Sequence, residues 1–571
     1  MGDFQRLPHI NIADSAEKSV VRKWLVFSLF SSYLPRMAFL RAERKKSGTY
    51  LRIIQSYRQD GKIKHKTLHS LGKKEDYTDD QLEKIAKKLM DLAGRDISSI
   101  NSNGLRELGR YNYGYALVLN NLWSLFNLPK LAKQLNAKSR IQFDWEGVVK
   151  LMMAERINEP CSKRRSSFNQ SEYLGFSDEE IPLHHFYRTL DFLSTHQEQI
   201  KKHLFKQQQS LFSQSLDVVF YDVTTLYFDS QKEDEGALRQ KGYSKDGKAH
   251  KLQVVLGLMV DKARNPISYQ IYQGNTYEGK TMVDALKNMR AQFNIDKVIV
   301  VADSAMIDKQ NRTFMADNKI DYIIGDSIKV LGKGITDKLL DKSLHRGVTK
   351  ASEDTFTYCE QQYKGRRIIC TYSTKRARKD KHQREVLIQK AKAWLEEPSK
   401  YKNVKKRGAG RFISTNEEGA PLKLDVERIK KDARYDGFKA LSTTTDLPVT
   451  EIISKYTDLF EVEHTFRALK SQLEIRPVFH WTDKRIEGHI CICFMAFTFF
   501  NYLRNITELQ YSGVQKTIDM MQMSLLEDTD SNTRYYLKSN TTDEQKILIA
   551  KLKLKTPPDT NPQGTINQYF T

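Results

Sequence analysis

The 571-residue sequence predicts an α/β fold: a mixed sheet with helices, interrupted by a β-rich insertion and preceded by a basic β-hairpin and a helical region. Three observations carry that prediction. The runs Asp217–Val223 (DVVFYDV) and Lys297–Ala302 (KVIVVA) have the near-continuous apolar character of strands buried on both faces. Around them, strand and helix patterns follow one another as β, β, β, α, β, α, β, the grammar of a sheet covered by helices. Farther on, residues 361–411 hold 17 Lys+Arg against 4 Asp+Glu and break that alternation, which marks an inserted segment.

Taken in order, residues 1–36 read as a poorly determined extension. Trp24–Leu34 (WLVFSLFSSYL) imitates a signal peptide, but Pro35-Arg36-Met37 interrupts it without a small-residue cleavage site, and Met37 reads as a start codon. Residues 37–77 contain Thr49–Arg58 and Lys62–Leu71, two basic strand-like runs joined by Gln59-Asp60-Gly61, a hairpin signal. Residues 78–210 are helical in pattern, clearest at Asp79–Leu92, Tyr113–Leu128 (stopped by Pro129), Trp145–Ile157 and Pro182–Leu211, and carry no catalytic signature. Residues 211–325 hold the strands Asp217–Val223, Lys251–Val260 and Ile267–Gln273, the helix Met282–Phe293, the strand Lys297–Ala302, the helix Lys309–Asn318 and a strand starting at Tyr322–Gly325. That is the order of a ribonuclease-H-like fold. Residues 326–445 read as the β-rich basic insertion. Residues 446–510 complete the core with a long helix from Val449 through Leu473, ended by Pro477, and an apolar helix at Ile490–Leu503. Residues 511–571 are polar, with Pro557-Pro558 and Pro562, and read as a weakly structured tail.

Charge and cysteine content narrow the function. Lys+Arg is 93 and Asp+Glu 70, a net charge of +23, far beyond what solubility needs and directed at a polyanion, most simply nucleic acid. Aromatic residues make up 10% of the chain, which excludes disorder as its main state. Five scattered cysteines exclude a disulfide scaffold and suit a reducing, cytoplasmic compartment. Ile490–Leu503 is 14 residues long, short of the roughly 20 that span a bilayer, so it is read as a core helix and no membrane partner is expected.

Two motifs compete for the chemistry. Gly274–Thr281 (GNTYEGKT) matches the phosphate-binding loop G-x-x-x-x-G-K-[ST], follows a strand and precedes a helix, so a P-loop NTPase is the rival reading. Against it, Asn-Thr-Tyr-Glu is bulky and acidic where backbone N–H groups must wrap phosphate. The stronger constellation is carboxylic. Asp222 ends the first core strand and Asp303 ends the strand after the first helix. Sites in open sheets form at the carboxyl ends of strands. Two carboxylates facing one another there repel unless a cation sits between them, and hard oxygen ligands select Mg²⁺ or Mn²⁺. Either aspartate alone could instead be a helix cap or a turn residue. The third carboxylate is Glu463. Tyr456, Glu463 and Lys470 are spaced by seven, about 20° short of two helical turns, so they share one helix face, with Arg467 beside Glu463.

These residues resemble a DDE transposase of a bacterial insertion sequence, from the group marked by Y-x₂-R-x₃-E-x₆-K. Tyr456, Glu463 and Lys470 fall on that spacing, while Leu459 stands where the group has arginine. YDVTT at Asp222, GYSKD at Gly242–Asp246, GNT at Gly274–Thr276 and the surroundings of Asp303 fit as well. The resemblance covers residues 38–505, and the group's β-rich insertion accounts for the 160 residues between Asp303 and Glu463. It implies two Mg²⁺ (or Mn²⁺) ions held by Asp222, Asp303 and Glu463, with Asp222 bridging both. It implies that Tyr456 and Lys470 contact element-end phosphates, with Arg467 taking the contact missing at Leu459. It further implies double-stranded DNA as partner (element ends, bound by residues 78–210, and target), a homodimer when two ends are synapsed, and a nucleoid-associated protein in the bacterial cytoplasm. Within the basic insertion, Arg366, Arg367, Lys375, Arg376, Arg378, Lys379, Lys405, Lys406 and Arg407 are expected to grip DNA, above all Lys405, Lys406 and Arg407. A non-transposing nuclease or a DNA-binding derivative on the same fold is the remaining alternative.

Overall fold

The computed structural model describes residues 38–570 apart from 46, 60–61, 93–104, 178, 213–216, 229–237, 243–250, 294–297, 307–308, 352–353, 398–406, 417–420, 460–472, 474, 476–477 and 530–531. The extension 1–36 and Met37 lie outside the described residues. The chain divides into two compact units, with the boundary after Leu105.

In the first unit, β1 (Ala38–Lys45), β2 (Gly48–Gln59) and β3 (Lys62–Lys73) form an antiparallel sheet in the order β1-β2-β3, followed by α1 (Asp79–Leu92). The expected hairpin is thus two strands of three. Among the described residues, Leu51 and Ile54 are its buried hydrophobic side chains, and Lys and Arg occupy much of what remains of the strand sequence.

The second unit opens with β4 (Leu105–Asn112) and a run of helices: α2 (Gly114–Leu125), α3 (Leu128–Asn136), α4 (Trp145–Ile157), α5 (Lys163–Asn169) and α6 (Leu183–Phe212). Pro129 sits in the first turn of α3, where its missing N–H costs nothing, so it starts a helix as well as ending one. Then come β5 (Val218–Tyr227), β6 (Gln240–Lys241), β7 (Leu252–Val260), β8 (Pro266–Gln273), α7 (Glu278–Phe293), β9 (Ile299–Ala302), α8 (Lys309–Asp317) and β10 (Asp321–Asp326). The antiparallel set β8-β7-β5 continues into β9 and β10, both parallel to β5. The expected order of elements is present.

The segment 326–445 departs from the β-rich expectation. It holds α9 (Lys333–Leu340), β11 (Arg346–Ala351), β12 (Asp354–Tyr363), β13 (Arg366–Ser373), α10 (Thr374–Glu396), β14 (Ile413–Thr415), β15 (Pro421–Leu424), α11 (Val426–Ala433) and β16 (Phe438–Thr443). The 23-residue α10 begins where the Ser373 side chain accepts the Arg376 N–H, and it turns Leu387, Ile388, Ala391, Trp394 and Leu395 toward Phe412 and Ile413. Strands β16, β13, β12 and β11 extend the main sheet beyond β10, with β16 antiparallel to β10.

After β16, a helix at 449–459 (α12) leads to the undescribed segment 460–472, and α13 (Asp483–Thr507) follows. Among the described residues α13 is the one helix long and apolar enough to cross a membrane, and 89% of its apolar window is buried inside the protein. It packs against α4 and α6, so Tyr113–Leu204 share one core with the sheet residues Phe220, Val301, Ile323 and Leu441 instead of forming a self-contained helical region. The expected weak tail is also corrected. Residues 511–570 fold into α14 (Tyr511–Asp519), β17 (Gln522–Asp528), β18 (Thr533–Lys538), α15 (Asp543–Leu552) and β19 (Thr560–Pro562), with β19-β18-β17-β4 forming a sheet. Ile518, Met521, Leu548, Ile566 and Phe570 are buried, and that burial holds a segment whose mean composition is polar.

Candidate active site

Strands β5 and β9 are parallel neighbours in register, Val218 opposite Ile299 through Tyr221 opposite Ala302. The next residue along each chain is Asp222 and Asp303. Alternation across the pleat sends Tyr221 and Ala302 to one face and Phe220 and Val301 to the other, and each aspartate follows the latter pair. Adjacent strands lie about 4.8 Å apart, so two carboxylates leave one face at one edge of the sheet. Both are fixed the same way. The Val223 N–H donates to Asp222 Oδ1 at 2.8 Å, and the Ser304 N–H donates to Asp303 Oδ1 at 2.7 Å. Asp222 is half-buried and Asp303 exposed.

A third aspartate near that edge serves structure. Asp326, ending β10, receives Arg312 and Arg366, each with an Nη2 at 3.2 Å, and its side chain is buried. Arg366 is therefore occupied in the core. So is Arg367, which pairs with Glu360 at 2.6 Å and donates to the carbonyls of Thr445 and Leu447.

Helix α12 packs on the aspartate-bearing face through Ile452, Tyr456 and Leu459. Gly325, beside Asp303 in the β9–β10 register, makes room for it: a Cβ there would lie 2.6 Å from the Tyr456 hydroxyl and 3.3 Å from the Ser304 nitrogen. The Tyr456 hydroxyl thus sits at the Asp303–Ser304 turn. Lys439 Nζ lies 4.3 Å from the centre of its ring. Asp303, Tyr456, Lys439, Arg376 and Leu459 line one cleft of about 380 Å³.

Glu463, Arg467 and Lys470, and with them Lys405 and Lys406, lie outside the described residues. The chain just beyond 460–472 is tied to the core. Arg156 Nη1 donates to the Leu473 carbonyl at 3.3 Å, His489 Nε2 to that of Ile475 at 3.3 Å, and the Val478 N–H to Tyr227 on the Asp222 strand at 3.1 Å. Arg407 is exposed and is not part of the cleft lining. Sequence reasoning did not find Gly325 and Lys439; the one available signal was a glycine between Ile324 and Asp326 at the end of an apolar strand.

Gly274–Thr281 does not form a phosphate cradle. Its strand, β8, is antiparallel to β7 at the sheet edge, not central and parallel. The Gly274 N–H is spent on the Leu238 carbonyl at 3.0 Å. The Thr281 hydroxyl, which would have to reach a metal ion, is buried, accepts from Tyr221 at 2.7 Å and donates to the Glu278 carbonyl at 2.6 Å.

The sequence matches two family models. Residues 213–499, half of the chain, match the transposase DDE domain, and this sets the class of protein. Residues 40–100 match the N-terminal domain of IS1634 family transposases. The chain belongs to the DDE transposases of insertion sequences, a family of DNA-cleaving and strand-transferring enzymes that use divalent metal ions. Among solved structures it is similar to a Mos1 transposase paired-end complex with the left transposon end (9% identity, TM-score 0.14) and to a Mos1 mariner paired-end complex with Mn (10%, 0.14). Each alignment covers 32% of this chain and 59% of the other, so the match spans less than two thirds of the Mos1 chain. No curated protein matches the sequence.

Proposed function

We propose that this protein cuts DNA at the ends of its insertion sequence and joins the freed 3′-OH to target DNA. The observation that carries the proposal is the placement of Asp222 and Asp303 opposite one another, each one residue past the paired Tyr221 and Ala302 of two parallel strands, and each with Oδ1 pinned by the next N–H. An all-oxygen pair held on one face suits Mg²⁺ or Mn²⁺, and Asp222, Asp303 and Glu463 would hold two ions. When bound, such ions activate water or a 3′-OH and stabilise the leaving oxygen of an in-line displacement.

The protein's own groups do the rest. Asp222 and Asp303 fix where the scissile phosphate must sit. The Tyr456 hydroxyl, braced over Gly325, orients a phosphate oxygen on the Asp303 side, and Lys470, seven residues past Glu463 in the sequence, does so too. No side-chain nucleophile is required, because water and then the DNA's own 3′-OH attack. Double-stranded DNA, the element ends and the target, is the partner. A homodimer would hold two ends together, and the place of work is the bacterial nucleoid.

The test is end cleavage by Asp222→Ala, Asp303→Ala and Glu463→Ala. Each should abolish cutting while end binding persists, and double variants should be no worse than singles, because the three act as one unit. A single variant that cuts at near wild-type rate removes that residue from the site.

A further inference from the structure

Leu459 occupies the position where the resembling group carries arginine, and it is 6% exposed against the wall of the cleft that contains Asp303 and Tyr456. A buried leucine offers nothing to a phosphate. The same cleft, however, receives two cations from the inserted segment. Arg376, in the first turn of α10, lines it with its side chain 48% exposed. Lys439, on β16, lines it from above the Tyr456 ring. These two residues stand 63 positions apart in the chain, yet both line the cleft that contains Asp303.

The geometry points to Arg376, with Lys439 beside it, as the replacement for the arginine missing at 459: a guanidinium delivered from the insertion that grips a DNA phosphate next to Asp303. The inference rests on the active-site reading above and adds to it the residue that holds the substrate. Arg376 suits this task. Its backbone is fixed by the Ser373 cap at 3.2 Å. Its Nε lies 3.7 Å from Asp380, whose carboxylate also accepts the Gly437 N–H at 3.0 Å. Asp380 thereby ties the base of α10 to the β16 end of the cleft and steers the guanidinium along it. An ion pair this long and this exposed is weak, and a phosphate with charge-assisted bidentate geometry outcompetes it. Arg366 and Arg367, by contrast, are committed to Asp326 and Glu360 and are excluded from this role.

The experiment uses the full chain and a labelled duplex carrying the terminal repeat that flanks its gene. Binding is titrated against salt, and cleavage is followed under single turnover. Arg376→Ala should weaken binding on the order of tenfold, the loss of one charged hydrogen-bonded contact. It should also flatten the log–log salt slope by about 0.9, one phosphate fewer. Arg376→Glu should weaken binding further, and at this half-exposed position it should leave the thermal melt unchanged. Adding Leu459→Arg to Arg376→Ala should restore both affinity and slope. Unchanged affinity and slope in Arg376→Ala and Arg376→Glu overturn the inference. That result leaves the active-site reading standing, since the latter is tested by whether Asp222→Ala, Asp303→Ala and Glu463→Ala still cut.

Discussion

Gly325→Ala probes the closest approach in the site. The added Cβ would meet the Tyr456 hydroxyl at 2.6 Å, about 0.8 Å short of the 3.4 Å at which ordinary contact begins, and the Ser304 nitrogen at 3.3 Å. Neither neighbour yields freely. The Tyr456 ring is buried at 8% exposure, and Ser304 N is the donor that pins Asp303. Overpacking of this kind costs about 1–3 kcal/mol of stability. A displacement near 1 Å beside reacting groups lowers rate on the order of a hundredfold. Urea unfolding and single-turnover end cleavage measure the two effects. The double variant Gly325→Ala/Tyr456→Phe separates them: with the hydroxyl gone, the next Tyr456 atom is the ring carbon Cζ at 3.4 Å, an ordinary contact. Stability should return toward wild type, while cleavage stays at the level of Tyr456→Phe alone. A Gly325→Ala protein as stable and as active as wild type would refute the placement of the Tyr456 hydroxyl, as would a double variant no more stable than the single.

Three further outcomes are expected. Lys280→Ala should cut DNA within a few fold of wild type and the protein should not turn over ATP, whereas Thr281→Val should cost about 1–2 kcal/mol in urea by stranding the buried Tyr221 hydroxyl; ATP turnover lost with Lys280 would revive the NTPase. Phe570→Ala should destabilise the protein by about 3–5 kcal/mol, because this buried ring packs so closely over Gly175 that a Cβ there would lie 2.3 Å from it; a truncation before Phe570 that melts like wild type would count against a docked C-terminus. Burial first, then Lys163, Arg156 and Arg485, lower the His480 pKa to about 3, so as pH falls below about 6.5 the unfolded chain takes up the proton first and stability declines toward pH 3 by up to about 1.4 kcal/mol per unit, the contribution being fully present above pH 6.5; His480→Gln should flatten this acid limb, and parallel limbs would assign it elsewhere.

The parts of the fold visible in the sequence are those in which one physical signal dominates. DVVFYDV and KVIVVA are apolar throughout because both faces of β5 and β9 are covered, and their shared ending in aspartate suggested the pairing that the register bears out. ICICFMAFTFFNYL is apolar all round because α13 is enclosed by its neighbours. Where charge and periodicity coincide, charge hides the pattern. Leu387, Ile388, Ala391, Trp394 and Leu395 have helical spacing, yet among so many lysines and arginines α10 was not recognisable as a helix. The C-terminal residues failed differently. Their elements are short, each buries few side chains, and they fold by packing into the core and by pairing β17 with β4, some 400 residues earlier in the chain. For the site, two of its carboxylates could be found because strand ends are local features. Gly325 and Lys439 could not, because they matter only through a side chain more than a hundred residues away for the first and on the next helix for the second.

The way the insertion joins the sheet has a consequence for how such a protein can change over generations. Its last strand, β16, hydrogen-bonds to β10, and only residues 444–448 separate it from the helix that leads to Glu463. The segment is therefore a bridge and not an ornament: the path from the second aspartate to the glutamate runs through its final strand. The two-residue turn 364–365 between β12 and β13, at its far end, can take insertions without touching the strands that pair with β10. Excision of the whole would remove the ledge from which α12 departs. Variation in this lineage should accordingly pile up at the outer hairpins and stop short of Phe438–Thr443.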